Sequence, residues 1–173
     1  MTATGTAAQV TTFATNTALS TWSIANDFLL VIILFALLFV FAWYVGRGPF
    51  VALLLSFYSA YATYSIFPYL SLLPTEPAMT ASLAHAGVYL AFVFIFFLIM
   101  RRVIVSDFLY INTFGLIVLS LVGAAFLIVL AAHTFSLVDF YTITPAIADF
   151  LTPAKYFFWW FSAPAVGLLF FAR

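Results

Sequence analysis

His85 and His133 are the two imidazoles of the chain, and both fall at the edges of apolar runs, with Glu76, Asp139 and Asp149 in the flanking polar stretches. Two histidines and a carboxylate could hold Zn²⁺ and leave a fourth position for water. The spacing speaks against it, because the histidines are far apart in sequence and share no i, i+4 helix face. Hydrogen bonding at a membrane boundary suits them better than metal ligation. Cysteine is absent, which excludes disulfides, thiolate nucleophiles and Cys-ligated metals. Neither a catalytic residue, a cofactor nor a metal site is expected.

A second group of reactive side chains is denser. Tyr58, Tyr61 and Tyr64 recur every three residues, with Ser56, Ser59, Ala60 and Thr63 between them. Small residues four apart, Ser56/Ala60 and Ser59/Thr63, let two helices approach closely, and hydroxyls can then bond across the contact. The same stripe could line a polar path for an ion or a lipid-like substrate. Helix packing is the reading favoured. Gly115, Ser120, Gly123 and Ala124 form a comparable small-residue face further on, suited to helix packing or self-association.

These groups sit in an unusual medium. Apolar residues make up 67% of the 173 positions and charged residues only 6%, against about 45–50% and 25% in soluble domains. Lipid is the solvent such a composition requires. Five basic and five acidic side chains cancel, so there is no basic face for nucleic acid. None of the charges lies in the middle of the first four apolar runs, which counts against ion-coupled transport and intramembrane hydrolysis, because those chemistries use buried ionisable groups.

The runs that must position these residues are spans at about 28–45, 50–73, 83–100 and 108–132. Eighteen helical residues cover roughly 27 Å, close to the thickness of the hydrocarbon core. Asn26 and Asp27 are suited to cap the first span. Gly46-Arg47-Gly48-Pro49 reads as a loop that forces an antiparallel hairpin. Pro68 should kink or end the second span, and Arg101-Arg102 should stop the third. Residues 134–155 carry Phe140, Ile143, Ile147 and Phe150 at helical spacing, as in a surface-lying segment. Residues 156–172 are apolar around Pro164 and read as a fifth span or an interfacial or re-entrant helix. Trp22, Trp43, Tyr44, Tyr69 and Tyr156 resemble interfacial aromatic belts.

The expected fold is therefore an all-α polytopic membrane protein. A polar, threonine-rich, extracytoplasmic tail (1–25), which lacks the basic start of a signal peptide, precedes a single transmembrane helical domain (26–173). Arg47, Arg101 and Arg102 fall in loops on one side and most acids on the other. The positive-inside rule then sets those arginines in the cytoplasm, the N-terminus outside, and the protein in the cytoplasmic membrane.

Asp27 opening the first span, the Gly46-Arg47-Gly48 turn, the hydroxyl-rich second span, and Asp107 before a glycine-containing span near Gly115 resemble the colicin V production protein family over residues 27–132. This chain departs from the family in its sparse loop charges, its Pro49 and its many aromatics. The resemblance implies an integral membrane protein linked to export or envelope homeostasis, with no catalytic residues to carry over. The expected function is non-enzymatic: a subunit that packs with copies of itself or with partners in the bilayer. The alternative is a channel or transporter subunit with its path along Tyr58, Tyr61 and Tyr64.

Overall fold

The computed structural model describes residues 28–104, 111–134 and 154–171. Every regular element among them is helical: α1 (Phe28–Tyr44), α2 (Arg47–Ser65), a short 3₁₀ turn (Pro68–Leu72), α3 (Ala78–Val103), α4 (Thr113–Thr134) and α5 (Ala154–Phe171). α3, over Met79–Val103, and α4 are long and apolar enough to cross a membrane, and α1 is a shorter apolar helix. The expected tail (1–25), the Asn26 and Asp27 cap, Asp107, Asp139 and Asp149, the surface segment around 140–150 and Arg173 lie outside the described residues.

Helix boundaries depart from the apolar runs where local chemistry intervenes. The second run was expected to continue to residue 73, but α2 stops at Ser65. Phe67 precedes Pro68 and is extended (φ −69°, ψ 116°), as the clash with a following proline ring requires. Pro68 then starts the 3₁₀ turn. The expected Gly46–Pro49 loop is also shorter than it reads. Arg47 already begins α2, and the reversal rests on Gly46 alone at φ 112°, a left-handed conformation that costs glycine least. Pro49 sits in the first turn, where its missing amide has no helical partner to lose. Arg101 and Arg102 do not stop α3. They occupy its last turn, where cations oppose the negative end of the helix dipole.

Ring contacts fix the directions of the helices. Phe41 of α1 meets Phe97 of α3, and Phe114 of α4 meets Phe171 of α5. These pairs mark the end of the bundle that also carries Arg47 and the Arg101-Arg102 pair. At the opposite end Tyr64 of α2 meets His85 of α3, and His133 of α4 meets Phe157 of α5. The helices thus alternate in direction, with an arginine end and a histidine end.

Two clusters form most of the core. Leu38 and Ala42 of α1, Phe50 and Leu54 of α2, Leu116, Leu119 and Ala124 of α4, and Leu168 of α5 pack toward the arginine end. Phe57, Ala60 and Tyr64 of α2, Tyr89 and Val93 of α3, and Phe126 and Leu130 of α4 fill the other half. α4 is the central element, with 56% of its apolar length buried against 11% for α3.

Candidate functional site

The residues singled out on α2 are brought into the bundle, but onto different faces. Steps of three along a helix of 3.6 residues per turn fall about 60° short of a full turn each time. Tyr58 and Tyr64 therefore end up on different neighbours. Tyr58 stacks on Phe126 of α4 (centroids 4.9 Å apart) and stands edge-on to Phe161 of α5 at 4.8 Å. Tyr61 lies against Phe157 and Phe161 of α5. Tyr64 turns instead toward α3, meeting His85 and Tyr89.

Tyr58, Tyr61, Phe126, Phe157 and Phe161 form an aromatic seam where α2, α4 and α5 meet, and His133 extends it by stacking on Phe157 at 4.3 Å. A break in the α5 main chain lies beside it. Pro164 is fully buried inside α5 and removes one helical donor. The Tyr58 hydroxyl donates to the Phe161 carbonyl at 2.5 Å, supplying a side-chain donor in the turn that the proline opens.

Among the described residues the Ser56, Ser59 and Thr63 hydroxyls bond within α2 itself. Ser56 donates to the Leu53 carbonyl (2.6 Å), Ser59 to Leu55 (3.2 Å) and Thr63 to Ser59 (2.9 Å), all within α2. A hydroxyl one turn above a carbonyl finds that partner without needing another helix. What Ser56 and Ala60 give to packing is smallness, since both are wholly buried.

The α4 face behaves in the same way. A Cβ on Gly123 would meet Leu38 of α1 and Leu54 of α2 at 3.1 and 3.2 Å, and one on Gly115 would meet Phe171 of α5 at 3.0 Å. Both glycines, with Ala124, are therefore used inside the chain's own bundle. Ser120 is also fully buried, yet its Oγ finds no hydrogen-bond partner among the described residues. Gly167 of α5, which the sequence reading passed over, admits Leu119 of α4 in the same way, at 3.0 Å from where its Cβ would stand.

The histidines take up packing positions. His85 Nδ1 lies 2.7 Å from the Tyr64 hydroxyl, and Tyr89 donates to the Phe57 carbonyl at 3.1 Å, so α2 and α3 are pinned twice. Among the described residues no group of three His, Cys, Asp or Glu side chains gathers to hold a metal. At the arginine end a cleft of about 270 Å³ is lined by Ala42, Trp43, Gly46, Arg47, Thr113 and Leu116. None of the three tyrosines borders it.

One surface missed in the sequence is the outer face of α3. Met79, Leu83, Leu90, Phe94, Leu98 and Val103 all point away from the bundle. Gly87 and Ala91, four residues apart, are exposed among them, and a Cβ on Gly87 would touch nothing within 4 Å. Of the four neighbouring phenylalanines, Phe92 and Phe96 pack inward, Phe97 meets α1 and Phe94 faces out. Trp43, Tyr44 and Tyr69 are exposed near helix ends, positions suited to an aromatic belt.

No protein-family model, curated protein or solved structure matches this chain.

Proposed function

We propose that the chain is a non-enzymatic integral membrane subunit that acts by assembling with copies of itself or with partner helices in the bilayer. α1 to α4 serve as four spans and α5 as a fifth. The cytoplasmic membrane is the proposed location, with Arg47, Arg101 and Arg102 inside and the N-terminus outside. The likeness of residues 27–132 to the colicin V production protein family points in the same direction, toward an export or envelope complex.

The observation that carries this reading is the outer face of α3. A glycine inside a helix costs about 1 kcal/mol relative to alanine. Gly115, Gly123 and Gly167 offset that by admitting a neighbour, whereas nothing among the described residues uses the space at Gly87. Gly87 with Ala91 one turn on is a small-xxx-small pair on an apolar face, the pattern by which membrane helices approach each other closely. The alternative path along Tyr58, Tyr61 and Tyr64 is less well supported, because their rings are engaged with α3, α4 and α5.

The test is the mass of the particle extracted gently from its native membrane, with Gly87→Leu and Ala91→Leu beside it. The natural chain should run as an oligomer or with fixed partners. Both variants should fall to the single-chain mass while melting at the natural temperature. A natural chain that is monomeric and alone in native-membrane discs overturns the proposal.

A further inference from the structure

We propose that the cleft at the arginine end of the bundle binds an anionic phosphate ester, the group that acidic lipid headgroups share with soluble glycerol and sugar phosphates. The cleft holds about 270 Å³ and is lined by Ala42, Trp43, Gly46, Arg47, Thr113 and Leu116. It is formed within one chain, so it stands or falls apart from the assembly proposed above. Two helices begin in its wall, α2 at Arg47 and α4 at Thr113. The first amides of a helix have no carbonyl partner in their own helix, and the dipole places about half a positive charge there. Gly46 precedes α2 without a side-chain cap, and neither helix carries an acidic residue in its first turn. Arg47 adds a permanent positive charge to the wall. Arg101 and Arg102 stand at the same end of the bundle, while Glu76, the one carboxylate among the described residues, lies at the other.

A buried hydroxyl points to a ligand independently of the helix ends. Thr113, Leu116 and Ser120 fall within an arc of about 60° on α4, so one row of side chains runs from the cleft into the bundle. Ser120 lies about 6 Å deeper than Leu116 along that row. It is fully buried, and its Oγ has no hydrogen-bond partner among the described residues. A phosphate seated between Arg47 and Thr113 offers this donor an acceptor through one water. Ala42, Trp43 and Leu116 give the cleft an apolar side as well, which suits a phosphate that carries an organic group. Trp43 is exposed, as a residue of an aromatic belt at headgroup depth would be.

Binding is read on the purified full chain in a neutral detergent. Phosphatidylglycerol and glycerol 1-phosphate are the probes, and phosphatidylcholine, whose headgroup has no net charge, is the control. The natural chain should bind one probe molecule and saturate. Arg47→Gln should weaken binding about tenfold, the scale of a hydrogen bond to a charged group. Thr113→Val and Ser120→Ala should each weaken it about threefold without lowering the melting temperature. Arg101→Gln removes the same charge from the same end but outside the cleft, and should change affinity less than about twofold, because exposed charges are screened. Phosphatidylglycerol that stays bound against excess glycerol 1-phosphate assigns the site to a lipid headgroup, and displacement assigns it to a soluble ester. The proposal is overturned if neither probe binds saturably, if phosphatidylcholine binds as well as phosphatidylglycerol, or if Arg47→Gln and Arg101→Gln cost the same.

Discussion

The hydroxyl of Tyr58 in α2 lies 2.5 Å from the main-chain oxygen of Phe161 in α5, three residues before the buried Pro164. Two sequence features that look unrelated, a tyrosine in a hydroxyl-rich run and a proline in an apolar one, thus meet in one contact. The proline interrupts the ladder of α5, and the tyrosine supplies a donor beside the gap. The amide that Pro164 lacks would have met the Trp160 carbonyl, one residue before the acceptor of Tyr58.

Tyr58→Phe keeps the ring between Phe126 and Phe161 and removes only the donor. It should lower unfolding stability by about 1 kcal/mol, the scale of interhelical hydrogen bonds in membranes. Tyr58→Ala also removes the stacked ring and should cost about 3–5 kcal/mol. In a Pro164→Ala background the regained amide pairs with the Trp160 carbonyl and the proline ring no longer holds the turn around Phe161 open, so the Tyr58→Phe effect should shrink. Denaturant titration of the four chains in mixed micelles measures this coupling. Equal costs of Tyr58→Phe in both backgrounds would separate the tyrosine from the proline.

How much of this was legible in advance depended on whether the cue was local. The hairpin was readable because Gly46-Arg47-Gly48-Pro49 sets two glycines, a charge and a proline between two apolar runs. That Pro68 would kink or end the second span was readable, but the place of the stop at Ser65 was not, because hydropathy carries on through Ile66, Phe67 and Tyr69. Faces were the least readable feature. Helices that are apolar all round give no amphipathic stripe, so Tyr58 and Tyr64 looked like one row although they serve different neighbours. For the same reason Gly123 and Gly87 looked alike until their surroundings were known.

Those two glycines should respond oppositely to enlargement. Gly123→Leu drives a side chain into Leu38 and Leu54, where even a Cβ has only 3.1–3.2 Å, so the bundle should lose about 1–3 kcal/mol or fail to fold. Gly87→Leu enters open space and should leave the melting temperature unchanged or raise it slightly, by the gain in helix propensity. Melting in detergent, followed by circular dichroism, distinguishes them. Equal destabilisation would mean that the outer face of α3 is packed within the chain's own bundle.

The buried serines make a second contrasting pair. Ser120 carries a hydroxyl at 0% exposure with no partner among the described residues, whereas the hydroxyl of Ser56 donates to Leu53 at 2.6 Å. Removing an unsatisfied buried hydroxyl relieves a desolvation penalty. Ser120→Ala should therefore be neutral or stabilising by up to about 1 kcal/mol. Ser56→Ala should be neutral or slightly destabilising, within about 0.5 kcal/mol, because the Leu53 carbonyl keeps its helical N–H. A loss above about 1 kcal/mol in Ser120→Ala would show that its hydroxyl has a partner, such as a bound water or a polar group from another chain.

The bundle's two ends also differ in charge, and this predicts an orientation. Arg101 and Arg102 close α3 at the end that holds Gly46 and Arg47, while Glu76 precedes α3 at the other. Carrying an arginine through the bilayer centre costs about 2.5–3.5 kcal/mol on insertion scales, whereas carboxylates contribute little to orientation. The arginine end should therefore stay with the cytoplasm during insertion. Single cysteines at Glu76 and Arg102, in the otherwise cysteine-free chain, test this with a thiol reagent that cannot cross the membrane. Glu76→Cys should label in intact cells and Arg102→Cys only after the membrane is opened. Arg101 and Arg47 keep the positive bias in the second variant. The reverse pattern would turn the bundle over and put its histidine end, with the Tyr64–His85 pair, in the cytoplasm.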